Sequence, residues 1–207
     1  SQKRHDGGAL SVPGFGSEVW STALATLTLR ALGVPAADER VQRAVAALCR
    51  EQVSLPLPAP SDRRRHAVRT GGWSFMRGNP TMPDADDSGV VLAALASCAD
   101  EAPSSHLRGA IDAGRAWLLD RQGRDGGFHC YVWGQPSKAP GPMYVTPYDL
   151  RLDDPRRVLA LLRETPAELA DAPAEGVTGR ALLGLGLSGS SLLDPAVRYA
   201  VDFLQHQ

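Results

Sequence analysis

The chain has 207 residues, 43% of them apolar and 22% charged, with a formal net charge of -1. This is enough apolar content for one packed domain over residues 1–207, and a balance that excludes the one-sided field of a nucleic-acid binder. No apolar run reaches the roughly 18 residues of a bilayer span, the polar start leads into no signal-peptide core, and Cys49, Cys98 and Cys130 form no Cys-x-x-Cys pair. A reducing cytoplasm is therefore the expected setting, without a disulfide framework or a cysteine zinc site.

In chain order the apolar periodicity predicts helices over 19–32, 41–52, 88–99, 107–122, 155–163, 177–187 and 195 to the end. Stop and start signals agree: Gly33 and Pro35 follow the first helix, and Asp194-Pro195 opens the last. The stretches 54–72 and 133–152, rich in Pro, Gly and charge, read as long loops. No segment alternates convincingly enough to predict a strand.

A repeat underlies the helices. Trp117-Leu118-x-x-x-Gln122-x-x-x-Gly126-x-Phe128 is a helix end, a glycine turn and an aromatic. The same logic runs upstream as Ala47-Leu48-x-x-x-Gln52, an insertion, then Gly71-Gly72-Trp73, and begins again at Phe203-Leu204. The glutamine amide is suited to bonding free carbonyls at a helix end, glycine to turning the chain, and the aromatic to packing on the next hairpin. Recurrence of such a unit predicts stacked helical hairpins.

Between the repeats lies GGWSFMRGNPTMPDADDSGVVLAAL, from Gly71 to Leu95. It resembles the squalene–hopene cyclases and their relatives, which share a Gly-Gly-aromatic-x-Phe turn and Pro-Asp-x-Asp-Asp at the head of an apolar helix. The glutamine–aromatic repeats are a second resemblance, and Ser17-Glu18-Val19-Trp20-Ser21-Thr22-Ala23-Leu24 a third. The resemblance covers the chain from about Phe15 onward. It implies an all-α fold of antiparallel helical hairpins forming an incomplete α/α barrel, the toroid of terpenoid cyclases and protein prenyltransferases. The implied activity is class II cyclisation, in which an aspartic acid protonates an alkene of a linear isoprenoid, squalene first. Clustered carboxyls in a poorly solvated site cannot all ionise, so one keeps a proton. By resemblance Asp86 is the donor, Asp84 and Asp87 support it, and Trp20, Phe75 and Tyr131 face the carbocations with their π-systems. Trp73, Trp117 and Phe128 read as structural aromatics of the repeat. No cofactor or metal is implied.

Plainer readings stand beside these. The three aspartates are also an N-cap and first-turn acids favoured by the helix dipole. The Asp-Asp-x-x-Asp spacing of a magnesium site fails at Val90. Arg63, Arg64, Arg65 and Arg69 form a solvated loop or a clamp for a prenyl diphosphate, and His129-Cys130 has no partner spacing for a metal. An Asp-x-Cys with a later His, the zinc set of protein prenyltransferases, is missing. Three functions follow: a cyclase of a neutral polyene, a cyclase of farnesyl or geranylgeranyl diphosphate, and a non-catalytic helical-repeat module binding an isoprenoid or a protein.

Two departures bear on the chemistry. Where hopene cyclases carry Asp-Val-Thr-Ala-His, this chain reads Gly176-Val177-Thr178-Gly179-Arg180, and the aspartate after their tryptophan is Ser21. Arg180 is expected beside the acids and in contact with substrate, pairing with Asp84 or Asp87 so that a buried Asp86 keeps the proton. The length accounts for half a barrel, so a second copy or a second helical domain is an expected partner, with peripheral membrane contact compatible with an isoprenoid substrate.

Overall fold

The computed structural model describes residues 3–4, 10–11, 17–54, 70–79, 83–99, 103–123, 125–130, 132–133, 169–170 and 173–206. Six helices occupy most of them: α1 (Glu18–Ala31), α2 (Glu39–Glu51), α3 (Ala85–Ser97), α4 (Ser105–Leu119), α5 (Glu175–Leu187) and α6 (Pro195–Gln205). The expected helix over 155–163 lies outside the described residues.

Every one of these helices except α5, which follows Ala174, starts at a side-chain cap. The Oγ of Ser17 accepts from Trp20 N at 2.9 Å, that of Ser104 from Leu107 N at 3.2 Å, and the Asp194 carboxylate from Ala196 N at 3.0 Å, with Pro195 in the first turn. Gly33, at φ 81°, turns the chain out of α1. Periodicity places the start of α3 at residue 88, but the helix begins at Ala85 because Asp84 caps it and the polar first turn is helical too.

The helices pack as consecutive pairs, α1 on α2, α3 on α4 and α5 on α6, with α1, α3 and α5 side by side in one layer. α3 is the centre of the molecule. It is buried on every side from Asp87 to Leu95, which is why its sequence is apolar or small all round. α2, with Val41, Val45, Leu48 and Cys49 on its inner stripe, covers the layer from outside. The core joins Trp73, Trp117 and Phe128 to Leu48, Leu92, Leu95, Leu118 and Leu185.

Among the described residues there are also three two-residue antiparallel ladders: β1 (Lys3–Arg4) with β2 (Leu10–Ser11), β3 (Trp73–Ser74) with β4 (Pro83–Asp84), and β5 (Val132–Trp133) with β6 (Leu169–Ala170). Strands this short carry no alternation, so periodicity does not reveal them. The β3–β4 ladder pairs Trp73 with Asp84 and thereby sets the head of α3 against the repeat turn. Among the described residues no helix is long and apolar enough to cross a membrane.

Candidate active site at the head of α3

The repeat turns hold the site in place. Gln52 donates from Nε2 to the carbonyls of Gly71 and Ala110, both at 2.8 Å, and Gln122 donates to those of Gly126 at 2.9 Å and Ala196 at 2.7 Å. One amide thus ties a helix end to its own turn and to the next outer helix. Gly71 and Gly126 have φ of 134° and 91°, and a Cβ on either would lie within 2.4 Å of the Ala113 or Tyr199 carbonyl oxygen. Trp73 donates from Nε1 to the Leu48 carbonyl at 2.7 Å.

From each turn one backbone N–H reaches the following inner helix. Trp73 N donates to Ser88 Oγ at 2.8 Å, and Phe128 N donates to Thr178 Oγ1 at 3.0 Å. Ser88 and Thr178 are therefore equivalent positions on α3 and α5, which have the same length. In that register Asp84, Asp86 and Asp87 correspond to Ala174, Gly176 and Val177. The scaffold builds the second helix without any of the three carboxyls, so the repeat does not need them.

Asp84 is the N-cap of α3, its Oδ1 accepting from Asp87 N at 2.7 Å, as the plainer reading of the motif requires. It is only 1% exposed, and Asp87 only 3%. Asp84 Oδ2 and Asp87 Oδ1 have no hydrogen-bond partner among the described residues. Burial, then the neighbouring Asp87 charge, pushes the Asp84 carboxyl up to about 8. Burial also raises Asp87, to about 6, opposed by its hydrogen bond with Asp84 and by the charge of Arg180. Two carboxyls in a dry pocket thus resist holding two charges.

Asp86 differs from the expectation. Its side chain is 23% exposed, the least buried of the three, and its Oδ1 accepts from Arg180 Nε. The arginine was expected on Asp84 or Asp87, and the packing of α5 explains why it is not. A Cβ on Gly89 would lie 2.8 Å from the carbonyl carbon and oxygen of Arg180, so the two backbones touch there. Asp86 is three residues before Gly89 and shares its face of α3. Asp84 and Asp87 face the repeat turn instead. The guanidinium carbon of Arg180 also lies 5.4 Å from the ring centre of Trp20. Arg180 on α5 therefore links Asp86 of α3 to Trp20 of α1.

The departures at 176 and 180 are linked. A Cβ on Gly176 would lie 3.3 Å from Arg180 Nη2, so the missing side chain leaves room for the guanidinium. Ser21 lies elsewhere. With Thr22, Ala25, Leu29, Arg40 and Ala44 it lines an open groove of about 470 Å³ between α1 and α2, in which none of the three aspartates takes part.

Phe75 is tied to the head of α1, its carbonyl accepting from Ser17 Oγ, but the residue is 37% exposed rather than enclosed. Tyr131 and the arginines at 63, 64, 65 and 69 lie outside the described residues. The preceding Cys130 is described, and its carbonyl accepts from Ala85 N at 2.9 Å, which fixes the first turn of α3. Ser88, Gly89 and Gly176 position the site without being predicted by the sequence. A Ser one turn into a helix and a Gly on its inner face carry no chemical signature. Only the matching turn-to-helix bonds show what they do.

Residues 16–207 match the family model described as the squalene-hopene cyclase C-terminal domain. Among curated proteins the chain is 29% identical over 193 residues to a squalene–hopene cyclase of Alicyclobacillus acidocaldarius, covering 92% of this chain and 27% of that protein. A squalene–hopene cyclase of Zymomonas mobilis is 27% identical over 198 residues, covering 91% of this chain and 26% of its own. Sporulenol synthase of Bacillus subtilis is 35% identical over 115 residues, which is 56% of this chain and 17% of the synthase. The chain thus spans about a quarter or less of the length of these relatives.

Proposed function

Since the chain belongs to the squalene-hopene cyclase C-terminal domain family, we propose that it is the acid-bearing part of a class II terpene cyclase. Its substrate is a linear isoprenoid such as squalene, converted to polycyclic terpene through carbocations. The observation that carries this reading is the buried carboxyl cluster at the head of α3, which the equivalent helix α5 does without.

In the mechanism, a proton passes from the cluster to a terminal alkene carbon. The π pair forms the new C–H bond, and the neighbouring carbon becomes cationic. Asp86, the carboxyl with an open side, meets the alkene, and Asp84 and Asp87 support it from within. Trp20 offers its ring face to the cation without offering a nucleophile, with Phe75 and Tyr131 filling the same role along the chain. The three hairpins form one arc of an α/α barrel, which further helices, of a second domain or a second copy, complete around the substrate. A polyene of this kind dissolves in lipid, so the protein takes it up in peripheral contact with a membrane.

The test is incubation with squalene, farnesyl diphosphate and geranylgeranyl diphosphate followed by product analysis, for the parent and for Asp86→Asn. Cyclised squalene from the parent and none from the variant is the expected result. Equal product from both removes Asp86 from the chemistry. Absence of product from every substrate favours an isoprenoid- or protein-binding module.

A further inference from the structure

The Arg180–Asp86 pair poses a problem that the geometry also answers. A donor ion-paired with a guanidinium holds no proton to give. The two carboxyls that Arg180 does not pair with are the buried ones, each with an oxygen that has no described partner. We infer that the resting site stores its transferable proton on the Asp84–Asp87 pair, while Arg180 holds Asp86 as a carboxylate beside Trp20 and has to withdraw before Asp86 takes the proton over. This rests on the acid-site reading above and makes Arg180 a positioning residue.

The surroundings agree. α3 itself contributes Asp84, Asp86 and Asp87, and α5 contributes Arg180, the cation whose charge reaches Asp87. α1 contributes the uncharged Trp20 through its contact with Arg180, and the turn after Phe128 contributes the Cys130 carbonyl to Ala85 N. Arg180 gives its ion pair to Asp86, and burial keeps one proton on the two neighbours against what remains of its charge. Arg180 has room to withdraw once its contacts with Asp86 and Trp20 are broken. Its side chain is 38% exposed, and Gly176 beneath it presents no side chain.

The step balances. As the guanidinium leaves, one proton passes from Asp84 to Asp86, and Asp86 gives it to the alkene carbon. The carboxyls are then one proton short, and regain it from water or from the deprotonation that ends cyclisation. An apolar substrate entering against Trp20 is the natural displacing group, because it competes for the same ring face.

The experiment is infrared difference spectroscopy of the protonated-carboxyl stretch near neutral pH, on the parent, Asp84→Asn, Asp86→Asn and Arg180→Gln. Asparagine caps helices as well as aspartate does, so Asp84→Asn keeps the head of α3, and circular dichroism checks each variant. The band is expected in the parent, lost in Asp84→Asn and kept in Asp86→Asn. Arg180→Gln is expected to strengthen the band, because Asp87 loses a cation that lowers it. A band lost in Asp86→Asn and kept in Asp84→Asn overturns the inference, as does no band in the parent. Neither result depends on turnover, so an inactive protein with the expected bands sinks the cyclase reading alone, and an active one with the proton on Asp86 sinks only the inference.

Discussion

Gly89 and Arg180 touch backbone to backbone: a Cβ on the glycine would lie 2.8 Å from the carbonyl carbon and oxygen of Arg180. Four residues after Arg180, a Cβ on Gly184 would lie 2.5 Å from the Gly89 carbonyl oxygen. These two glycines set how closely α5 lies on α3, and so where the guanidinium can reach. No flexible side chain stands at either contact to give way. Gly89→Ala is therefore expected to push the helices apart, at about 1–3 kcal/mol for overpacking, and to break the Arg180–Asp86 pair. Urea unfolding measures the first effect. Loss of the effect of Arg180→Gln on the carboxyl spectrum in the Gly89→Ala background measures the second.

Stability is expected to fall as pH rises from about 5 to about 8. Asp84 and Asp87 are both raised in the folded chain, to about 8 and about 6, whereas an unfolded aspartate titrates near ~3.9. Between these values the folded state binds more protons than the unfolded one, so its advantage is complete below the unfolded value and is lost through the folded ones. Denaturant midpoints across this range should slope downward in the parent and flatten in Asp84→Asn. A midpoint that rises with pH in the parent would contradict the burial of these carboxyls.

The glutamines are expected to matter as donors. Gln122 donates to two carbonyls, of Gly126 and Ala196, and Gln122→Ala leaves both without it, at ~1–3 kcal/mol. Gln122→Glu is expected to be worse at neutral pH, because a carboxylate has no donor and faces two carbonyl dipoles. Thermal unfolding of the two variants at neutral and mildly acidic pH separates them: the glutamate variant should recover as it gains a proton, and the alanine variant should not.

Trp73 combines packing with one bond. It is fully buried, and its Nε1 donates to Leu48 at 2.7 Å. Trp73→Phe keeps most of the ring but strands the Leu48 carbonyl, an expected loss of ~1–3 kcal/mol. Trp73→Ala adds a cavity beside Gly114, against which the ring packs, for about 3–5 kcal/mol. Calorimetry that finds the two variants equally stable would refute a packing role for the ring.

Much of the local structure is written in single stretches of sequence. Asp194-Pro195 starts α6, Gly33 ends α1, and the Gln-to-aromatic spacing gives the repeat turns, because capping and turn chemistry act within a few residues. The acid motif also shows that Asp84, Asp86 and Asp87 share a helix head. Apolar periodicity alone does not show that this helix starts three residues before its apolar run, since the cap and a polar first turn leave no period to read.

The amino-acid sequence by itself determined a helical repeat with an acid-headed inner helix, since helices, caps and turns depend on neighbours along the chain. Only the tertiary structure decided which carboxyl is dry and which is paired. Arg180 lies 94 positions from Asp86, and its reach depends on how closely two helix backbones approach. That approach is set by the absence of side chains at Gly89 and Gly184, and an absent side chain becomes informative only once something is packed against it.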